Sequence, residues 1–251
     1  MTKQTIIITT VVVYLFCKIF ILEPNALEVN EYWIENNSLK GVKIAFLSDL
    51  NVKKSKGAYN RLKKIVKVTN EQKPDIVLFG GDFAYGGNLN KTYNINSVAL
   101  ALSVINTKEK FAVLGEEDNK TEKTKEIVEA LKNNGIRVFT RDSAYRVSIK
   151  GRWIDIAGVT DKITHQPNIS KALYRTMPSR ILLSHNPDIY YDVMDDVSLI
   201  LAGHTHGGQV IFPFIPALFV PSQFGSKFAS GLIEETNNKM VISKGLGKEI
   251  G

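Results

Sequence analysis

Two histidines one residue apart, His204 and His206, follow an apolar run at residues 197–201. A third histidine, His185, follows another apolar run at residues 181–183 in the same way. Imidazole is the side-chain ligand that transition metals meet most often in proteins. Because three of the four histidines in the chain stand directly after runs that predict buried strands, the pattern indicates a metal site.

Acidic residues occupy the equivalent places after three earlier apolar runs, which predict strands at residues 42–48, 75–79 and 110–114. Asp49 follows the first run, Asp82 the second, and an acidic triplet at 116–118 the third. Segments with helical spacing lie between them, at residues 59–68 and 121–133. The carboxyl ends of parallel strands meet at one edge of an α/β sheet, so these groups should converge. Carboxylates together with imidazoles suit two divalent cations about 3.5–4 Å apart.

The order of these blocks is a stronger signal than any single block. They are Ser-Asp-Leu-Asn at 48–51, Gly-Gly-Asp at 80–82, Gly-Glu-Glu-Asp at 115–118, Ser-His-Asn-Pro-Asp at 184–188 and Gly-His-Thr-His-Gly-Gly-Gln at 203–209. The series resembles the calcineurin-like metallophosphoesterases over residues 40–247, and among them the membrane-anchored bacterial branch. The resemblance implies an α/β sandwich of two mixed β-sheets flanked by helices. It also implies two divalent metal ions and hydrolysis of a phosphate ester or a pyrophosphate.

The resemblance also assigns roles to individual residues. Seven of them fall at the positions where the family keeps metal ligands: Asp49, Asn51, Asp82, Glu116, His185, His204 and His206. Asp82 would bridge the two ions. Asp49, Asn51 and His206 would complete the first site, and the other three residues would complete the second. Glu117 stands where the family has the histidine that meets the phosphate or leaving group, and Asp118 would orient it, so these two are the expected catalytic residues.

Three of these residues depart from the family pattern, which has histidine at 51, asparagine at 116 and histidine at 117. Asn51 and Glu116 make the ligand set richer in oxygen, which favours Mn²⁺ or Mg²⁺ over Zn²⁺. Mn²⁺ is the expected metal, and Mg²⁺, Fe or Zn²⁺ are the alternatives. Neighbouring like charges should raise the pKa of Glu117. A protonated Glu117 would act as a general acid, whereas an ionised one would repel the phosphate. The competing interpretation of residues 116–118 is simply an acidic helix start, which the helix dipole favours.

A second strong signal is the apolar amino-terminal segment Thr5–Leu22, whose only charged residue is Lys18. Its length suits a membrane span, which needs roughly 17–25 residues. Since no small-x-small cleavage site follows, we expect residues 1–23 to be an uncleaved single-pass anchor in the cell membrane rather than a signal peptide. The positive residues do not determine which side the domain faces. Residues 24–39 are expected to form a linker with an edge strand at 27–34, and residues 40–251 the phosphoesterase domain.

The net charge of +7 is concentrated in residues 40–73, which contain ten Lys or Arg and two acidic residues. Such a basic surface attracts phosphates and anionic membranes, although a solvated helix face is the plainer alternative. The resemblance to the membrane-anchored branch implies a membrane lipid or a lipid-linked phosphate, of which the UDP-diacylglucosamine type is one example, as the expected partner. The apolar segment 210–224, with three prolines, either packs on the core or faces lipid. No nucleic-acid partner is expected, because no aromatic-interleaved basic motif occurs.

The carboxyl end also departs from the resembling proteins, because the late strand at 240–247 is followed by only a few residues. This predicts an exposed sheet edge. Together with the three altered positions, it favours an alternative function, that of a degenerate, catalytically silent metal-binding membrane protein. A third possibility, a nuclease, predicts salt-sensitive binding of DNA or RNA.

Overall fold

Two β-sheets form the centre of residues 33–247 in the computed structural model, which describes residues 27–208 and 220–247. Within the described residues the first sheet has four strands, whose spatial order follows the chain: β1 (Ile44–Leu47), β2 (Ile76–Phe79), β3 (Glu109–Ala112) and β4 (Arg137–Val138). Every pairing in it is parallel. All four side chains of β2 are buried, as expected for a central strand covered on both faces.

The second sheet has six strands in the described residues. These are β5 (Ser143–Ile149), β6 (Arg152–Gly158), β7 (Arg180–Leu183), β8 (Leu199–Ala202), β9 (Gly231–Ile233) and β10 (Met240–Ile242). Their spatial order is β5-β6-β7-β8-β10-β9. The two outer pairs are antiparallel and the inner pairs are parallel.

The prediction of an α/β fold with two sheets is confirmed, but only the second sheet is mixed. The first sheet is purely parallel because the connections between its strands carry helices, and such crossovers return the chain to the same end of the sheet. The helices are α1 (Lys56–Glu71), α2 (Ile95–Ser103), α3 (Glu116–Lys120) and α4 (Thr124–Asn133). A further helix, α5 (Ile169–Leu173), lies between β6 and β7 in the chain.

The predicted helix at 121–133 corresponds to α4, which begins three residues later, at Thr124, and is preceded by the separate short helix α3. Thr121 adopts an extended backbone with ψ of 140°, and this ends α3 before α4 begins. The predicted helix at 59–68 is longer than expected, because Ser55 caps α1: its side-chain oxygen accepts a hydrogen bond of 3.1 Å from the N–H of Ala58.

The main apolar core lies between the two sheets. Alternate residues of β2, Ile76 and Leu78, pack in one cluster with Ile154 and Ile156 of β6 and with neighbouring strands. A second cluster covers the other face of the second sheet and includes the fully buried Tyr190 and Phe228. Successive side chains of a strand point to opposite faces, so one strand contributes to both layers.

The expected edge strand at 27–34 is wrong, because residues 27–36 form neither strand nor helix. Its apolar side chains are largely exposed, Trp33 by 89%, so they gain little from pairing with a sheet. β10 is not itself an edge strand, since β9 pairs with it; β9 is the outermost strand on this side among the described residues, and an exposed edge there stays a prediction. The expected anchor and most of the segment 210–224 lie outside the described residues. Within the described residues, no helix combines the length and apolar character of a bilayer span.

An ion pair between the buried carboxylate of Asp155 and the half-exposed guanidinium of Arg146 joins β6 to β5, and the same carboxylate contacts the loop after α5. The Asp155 carboxylate accepts hydrogen bonds of 2.8 and 2.9 Å from Nε and Nη2 of Arg146, and another from the N–H of Met177. Burial opposes ionisation of Asp155, but these hydrogen bonds outweigh it and hold the pKa of the carboxyl below its usual value. The ionised pair therefore stabilises the fold.

We expect Asp155→Asn to lower the free energy of unfolding by about 2 kcal/mol at neutral pH, the scale of hydrogen bonds to a charged group. Since the folded-state pKa lies below the unfolded value of about 3.9, this contribution is present above pH about 4 and is lost as the pH falls further. Urea unfolding from pH 3 to 7 measures it. A difference between the two proteins that stays constant down to pH 3 would contradict the assignment.

Candidate metal centre

The sequence-predicted metal ligands follow strands of both sheets, and several adopt an uncommon backbone conformation. Five non-glycine residues with positive φ lie in these loops: Asp49 (54°), Asn51 (41°), Asp82 (56°), His204 (72°) and His206 (50°). Such conformations cost free energy in residues with a side chain, and they concentrate at functional sites where surrounding contacts enforce them. The strand ends are therefore shaped to aim these side chains at a common point.

Three of the predicted ligands meet as one group. Asp49, Asp82 and His206 each offer an atom, and these atoms all lie within 4.8 Å of one another. Nε2 of His206 lies 3.5 Å from Oδ1 of Asp49. Asp49 and Asp82 are almost completely buried, at 0% and 2% exposure. Two buried carboxylates beside an imidazole are stable only if positive charge joins them, so this donor set fits a divalent cation.

His185 lies on the other side of Asp82. Its Nδ1 lies 2.7 Å from the carbonyl oxygen of Gly80, and its Nε2 lies 3.3 Å from Oδ2 of Asp82. Nε2 is fully buried and has no hydrogen-bond partner among the described residues. A backbone carbonyl on Nδ1 is the usual means of directing the Nε2 lone pair at a metal ion. The orphaned nitrogen therefore fits a second cation at Asp82.

The electrostatics of His185 agree with this fit. Burial alone would lower the pKa of His185, but the charge of Asp82 outweighs it and holds the pKa well above the usual value. The surroundings of the His185 imidazole therefore favour a positive charge, and either a proton or a metal ion supplies it. His204 behaves differently, because burial and the charge of His185 lower its pKa. A neutral imidazole is the form that binds metal.

His204 and Glu116 lie next to His185 in the predicted centre. Nδ1 of His204 lies 3.7 Å from Oε1 of Glu116, and the His204 ring centroid lies 5.2 Å from that of His185. The backbone N–H of His204 donates to both carboxylate oxygens of Asp49 at 3.1 Å. A predicted ligand of the second ion therefore helps to position a predicted ligand of the first. Asn51 is buried, and its N–H donates to the carbonyl oxygen of Asp82 at 2.9 Å. Ligation by the Asn51 side chain stays a prediction.

The acidic triplet forms the first turn of α3, as the alternative interpretation expected. The turn nevertheless contacts the centre directly, because the N–H of Glu117 donates to Oδ1 of Asp82 at 2.9 Å. Gly115 allows this contact. A Cβ at residue 115 would lie 2.0 Å from Oδ1 of Asp82 and 2.7 Å from Cε1 of His185. Only glycine permits such an approach.

Comparison with known proteins agrees with this centre. The family model of the calcineurin-like phosphoesterases matches residues 42–208. The chain belongs to this family. It is therefore a metallophosphoesterase, a hydrolase of phosphoric esters that uses divalent metals.

Relatives of this phosphoesterase include two bacterial proteins of similar length. It is 27% identical to the uncharacterized metallophosphoesterase YkuE of Bacillus subtilis, over 90% of this chain and 80% of the relative. It is 29% identical to the phosphodiesterase YaeI of Escherichia coli, over 83% and 76% respectively. A solved dimetal phosphatase from Danio rerio shares the fold, with a TM-score of 0.52 and 11% identity over 82% of this chain and 88% of that one.

The expected role of Asp118 in orienting Glu117 has no hydrogen bond to support it among the described residues. Oδ1 of Asp118 instead accepts bonds of 2.9 Å from the N–H groups of Phe83 and Ala84, and Oδ2 accepts one of 3.2 Å from Gly115. Adjacent residues of a helix do not face each other, so Asp118 points inward while Glu117 points to the rim. Burial and the charge of Asp82 raise the pKa of Asp118 to about 7.

The pKa of Glu117 is raised, as expected, but for a different main reason. Burial contributes most, followed by the charge of Asp82, while the neighbouring Glu116 contributes less. Lys120 acts in the opposite direction and favours the ionised carboxylate. The protonation state of the Glu117 carboxyl therefore depends mainly on how deeply its side chain is buried. The spacing of residues in the sequence does not reveal that burial.

Asp161 is a buried acid near this centre that the sequence interpretation missed. It is completely buried, its Oδ1 has no hydrogen-bond partner among the described residues, and its charge acts on His185. Oδ2 accepts hydrogen bonds from the N–H and Oγ1 of Thr164 at 2.9 and 2.8 Å. A signal was available, because Gly158-Val-Thr-Asp161 follows β6 with the same Gly-x-x-Asp spacing as the block that ends at Asp118.

The contact at Gly115 generates a prediction about metal binding. We expect Gly115→Ala to weaken Mn²⁺ binding about 10- to 100-fold, the range for disturbed groups that support metal ligands, because the new Cβ would displace Asp82. Calorimetric titration with Mn²⁺ measures the effect. Gly57→Ala is the control, because a Cβ there meets only Ser55 Oγ at 4.0 Å. Equal Mn²⁺ affinity in both variants would contradict the close approach.

Proposed function

We propose that the chain hydrolyses a phosphate ester or pyrophosphate of a lipid-linked substrate at a membrane, with two divalent ions, of which Mn²⁺ is favoured. The proposal of two ions rests on the position of Asp82. On one side Asp82 groups with Asp49 and His206, and on the other it lies beside Nε2 of His185, which has no hydrogen-bond partner among the described residues. A carboxylate between two sets of donors is suited to bridge two cations. When bound, such ions neutralise phosphate charge and supply an activated water.

The residues of the chain would divide this work. Asp49, Asp82 and His206 would hold the first ion, and Asn51 would add a carbonyl oxygen. His185, His204 and Glu116 would hold the second ion together with Asp82. The α3 turn holds the Asp82 carboxylate in place through the N–H of Glu117. The oxygen-rich donor set is the reason for favouring Mn²⁺ over Zn²⁺.

The two additional carboxylates at 116 and 117 would repel a phosphate unless a cation balances them. Lys120 lies one turn further along α3, with Nζ 3.2 Å from Oε2 of Glu116 and 3.7 Å from Oε1 of Glu117. Its side chain remains 51% exposed, so it also reaches solvent at the rim. Lys120 therefore screens both carboxylates, which supports retained activity in spite of the altered motif.

Membrane attachment rests on the sequence and on the surface of α1. The apolar segment Thr5–Leu22 has the length of a span. Exposed lysines cover the outer face of α1, among them Lys56, Lys63, Lys64 and Lys67. Lysines that come close to an anionic membrane surface each contribute about 1 kcal/mol to binding it. A membrane-bound enzyme with a phosphate site suits a lipid-linked substrate, of which UDP-diacylglucosamine-type pyrophosphates are one class.

The second candidate function is a catalytically silent metal-binding membrane protein. The altered residues Asn51, Glu116 and Glu117 favour it, because two of them add negative charge where the anionic substrate must enter. The triple variant Asn51→His, Glu116→Asn and Glu117→His restores the family pattern and separates the two functions. A silent protein should gain hydrolysis in this variant, whereas an adapted enzyme should lose its own metal preference.

The first test is hydrolysis of a chromogenic phosphodiester by the full-length protein with Mn²⁺, Mg²⁺ or Zn²⁺. We expect turnover that is greatest with Mn²⁺, disappears with a chelator and falls at least 1000-fold in Asp82→Ala, because loss of the bridging carboxylate removes both cations. Asp192→Ala, which removes a 55% exposed carboxylate, is the control and should retain full activity. Absence of turnover in a folded, Mn²⁺-loaded protein, together with a gain in the triple variant, would favour the silent function.

The screening role of Lys120 predicts that Lys120→Met raises KM for an anionic phosphodiester about fivefold with little change in kcat. A unit charge about 4 Å away in water is worth about 1 kcal/mol, which corresponds to this factor. Lys123→Met is the matched control, because Lys123 is also 51% exposed and pairs with Glu126 at 3.5 Å, away from the acidic turn. The same KM in both variants would show that Lys120 does not screen the site.

A further inference from the structure

A second basic surface lies along the edge of the second sheet. A groove of about 500 Å³ runs beside the edge strand β5, next to α5 and the loop that follows it. Four of its lining residues carry positive charge: Arg141, Arg146, Lys171 and Arg175. None of the residues that line this groove is a predicted metal ligand or catalytic residue.

The two carboxylates in the groove are already engaged by other partners. Asp142 accepts hydrogen bonds of 2.8 Å from the N–H of Thr160 and 2.9 Å from the N–H of Asn168. The Asp155 carboxylate accepts hydrogen bonds from Nε and Nη2 of Arg146. These acids therefore support the groove walls, and Arg146 is the only lining cation that they neutralise among the described residues.

Three cations are left without a carboxylate partner among the described residues: Arg141, Lys171 and Arg175. The Arg175 guanidinium lies 5.1 Å from the centroid of the Tyr174 ring, whose residue is 70% exposed. Arg175 has a φ of 60°, a left-handed backbone conformation that is uncommon for residues other than glycine. Three like charges around one concave surface repel each other, and a multivalent anion relieves that repulsion.

We propose that this groove is a binding site for a phosphate-bearing anion, separate from the metal centre. Guanidinium groups bind phosphate through paired hydrogen bonds, and a lysine adds a compact charge to the same ligand. The phosphate belongs either to a soluble organic phosphate or to an anionic lipid headgroup, which share this chemistry. The site does not depend on hydrolysis at the metal centre.

The test uses detergent-solubilised full-length protein with a chelator present, so that the metal centre does not contribute. Calorimetry with inorganic pyrophosphate, dihexanoyl phosphatidylglycerol and dihexanoyl phosphatidylcholine distinguishes the two phosphate sources. We expect the variant Arg141→Ala, Lys171→Ala, Arg175→Ala to weaken anion binding at least tenfold. The matched control Lys108→Ala, Lys125→Ala, Lys132→Ala removes the same charge from exposed positions outside both the groove and α1, and it should change binding less than twofold.

Loss of pyrophosphate binding alone would identify a soluble phosphate, and loss of phosphatidylglycerol binding as well would identify a headgroup. Equal affinities in the groove variant and the control variant, or no binding of either anion by the unmodified protein, would overturn the proposal. Should the triple variant fail to fold, Lys171→Glu replaces it, because Lys171 is exposed and reversing its charge should weaken pyrophosphate binding by the same mechanism. Hydrolysis of the chromogenic ester should be unchanged in either groove variant.

Discussion

The buried carboxylate of Asp82 is the interaction on which the rest of the site depends. It is 2% exposed; the N–H of Glu117 donates to its Oδ1, and Nε2 of His185 lies 3.3 Å from its Oδ2. Burial would favour the neutral form, but these partners outweigh it and lower the pKa of Asp82. A buried anion of this kind requires positive charge nearby, which explains why imidazoles and a metal-binding donor set surround it.

The constraint extends from this carboxylate into the backbone. Gly115 must lack a side chain so that the α3 turn can reach Asp82, and Gly203 must lack one because a Cβ there would lie 2.5 Å from Oδ2 of Asp49. Asp118 then ties the two loops together through the N–H groups of residues 83, 84 and 115. Positive φ values at the ligands themselves complete the arrangement. The cost in conformational energy is offset by many hydrogen bonds between loops that are far apart in the chain.

Much of the framework was predictable because strand and helix signals are local. The predicted strand at 75–79 corresponds to β2 at Ile76–Phe79, and the run at 110–114 corresponds to β3 at Glu109–Ala112. Local signals failed where long-range contacts decide. Residues 27–34 are rich in apolar and aromatic side chains and are expected to form an edge strand, yet they form none. The parallel pairing of the first sheet likewise depends on crossovers rather than on the composition of its strands.

The sequence by itself determined which residues stand at strand ends and in which order, since both follow from apolar runs interrupted by glycine, aspartate and histidine. It therefore indicated the metal ligands and the family. Only the tertiary structure decided how the ligands pair: Asp49 with His206, and Asp82 with His185. It also decided that Asp118 supports backbone loops and that Asp161 is buried with an unpaired oxygen. The physical reason is that hydrogen bonds and burial depend on residues 35 to more than 100 positions apart, which no local pattern contains.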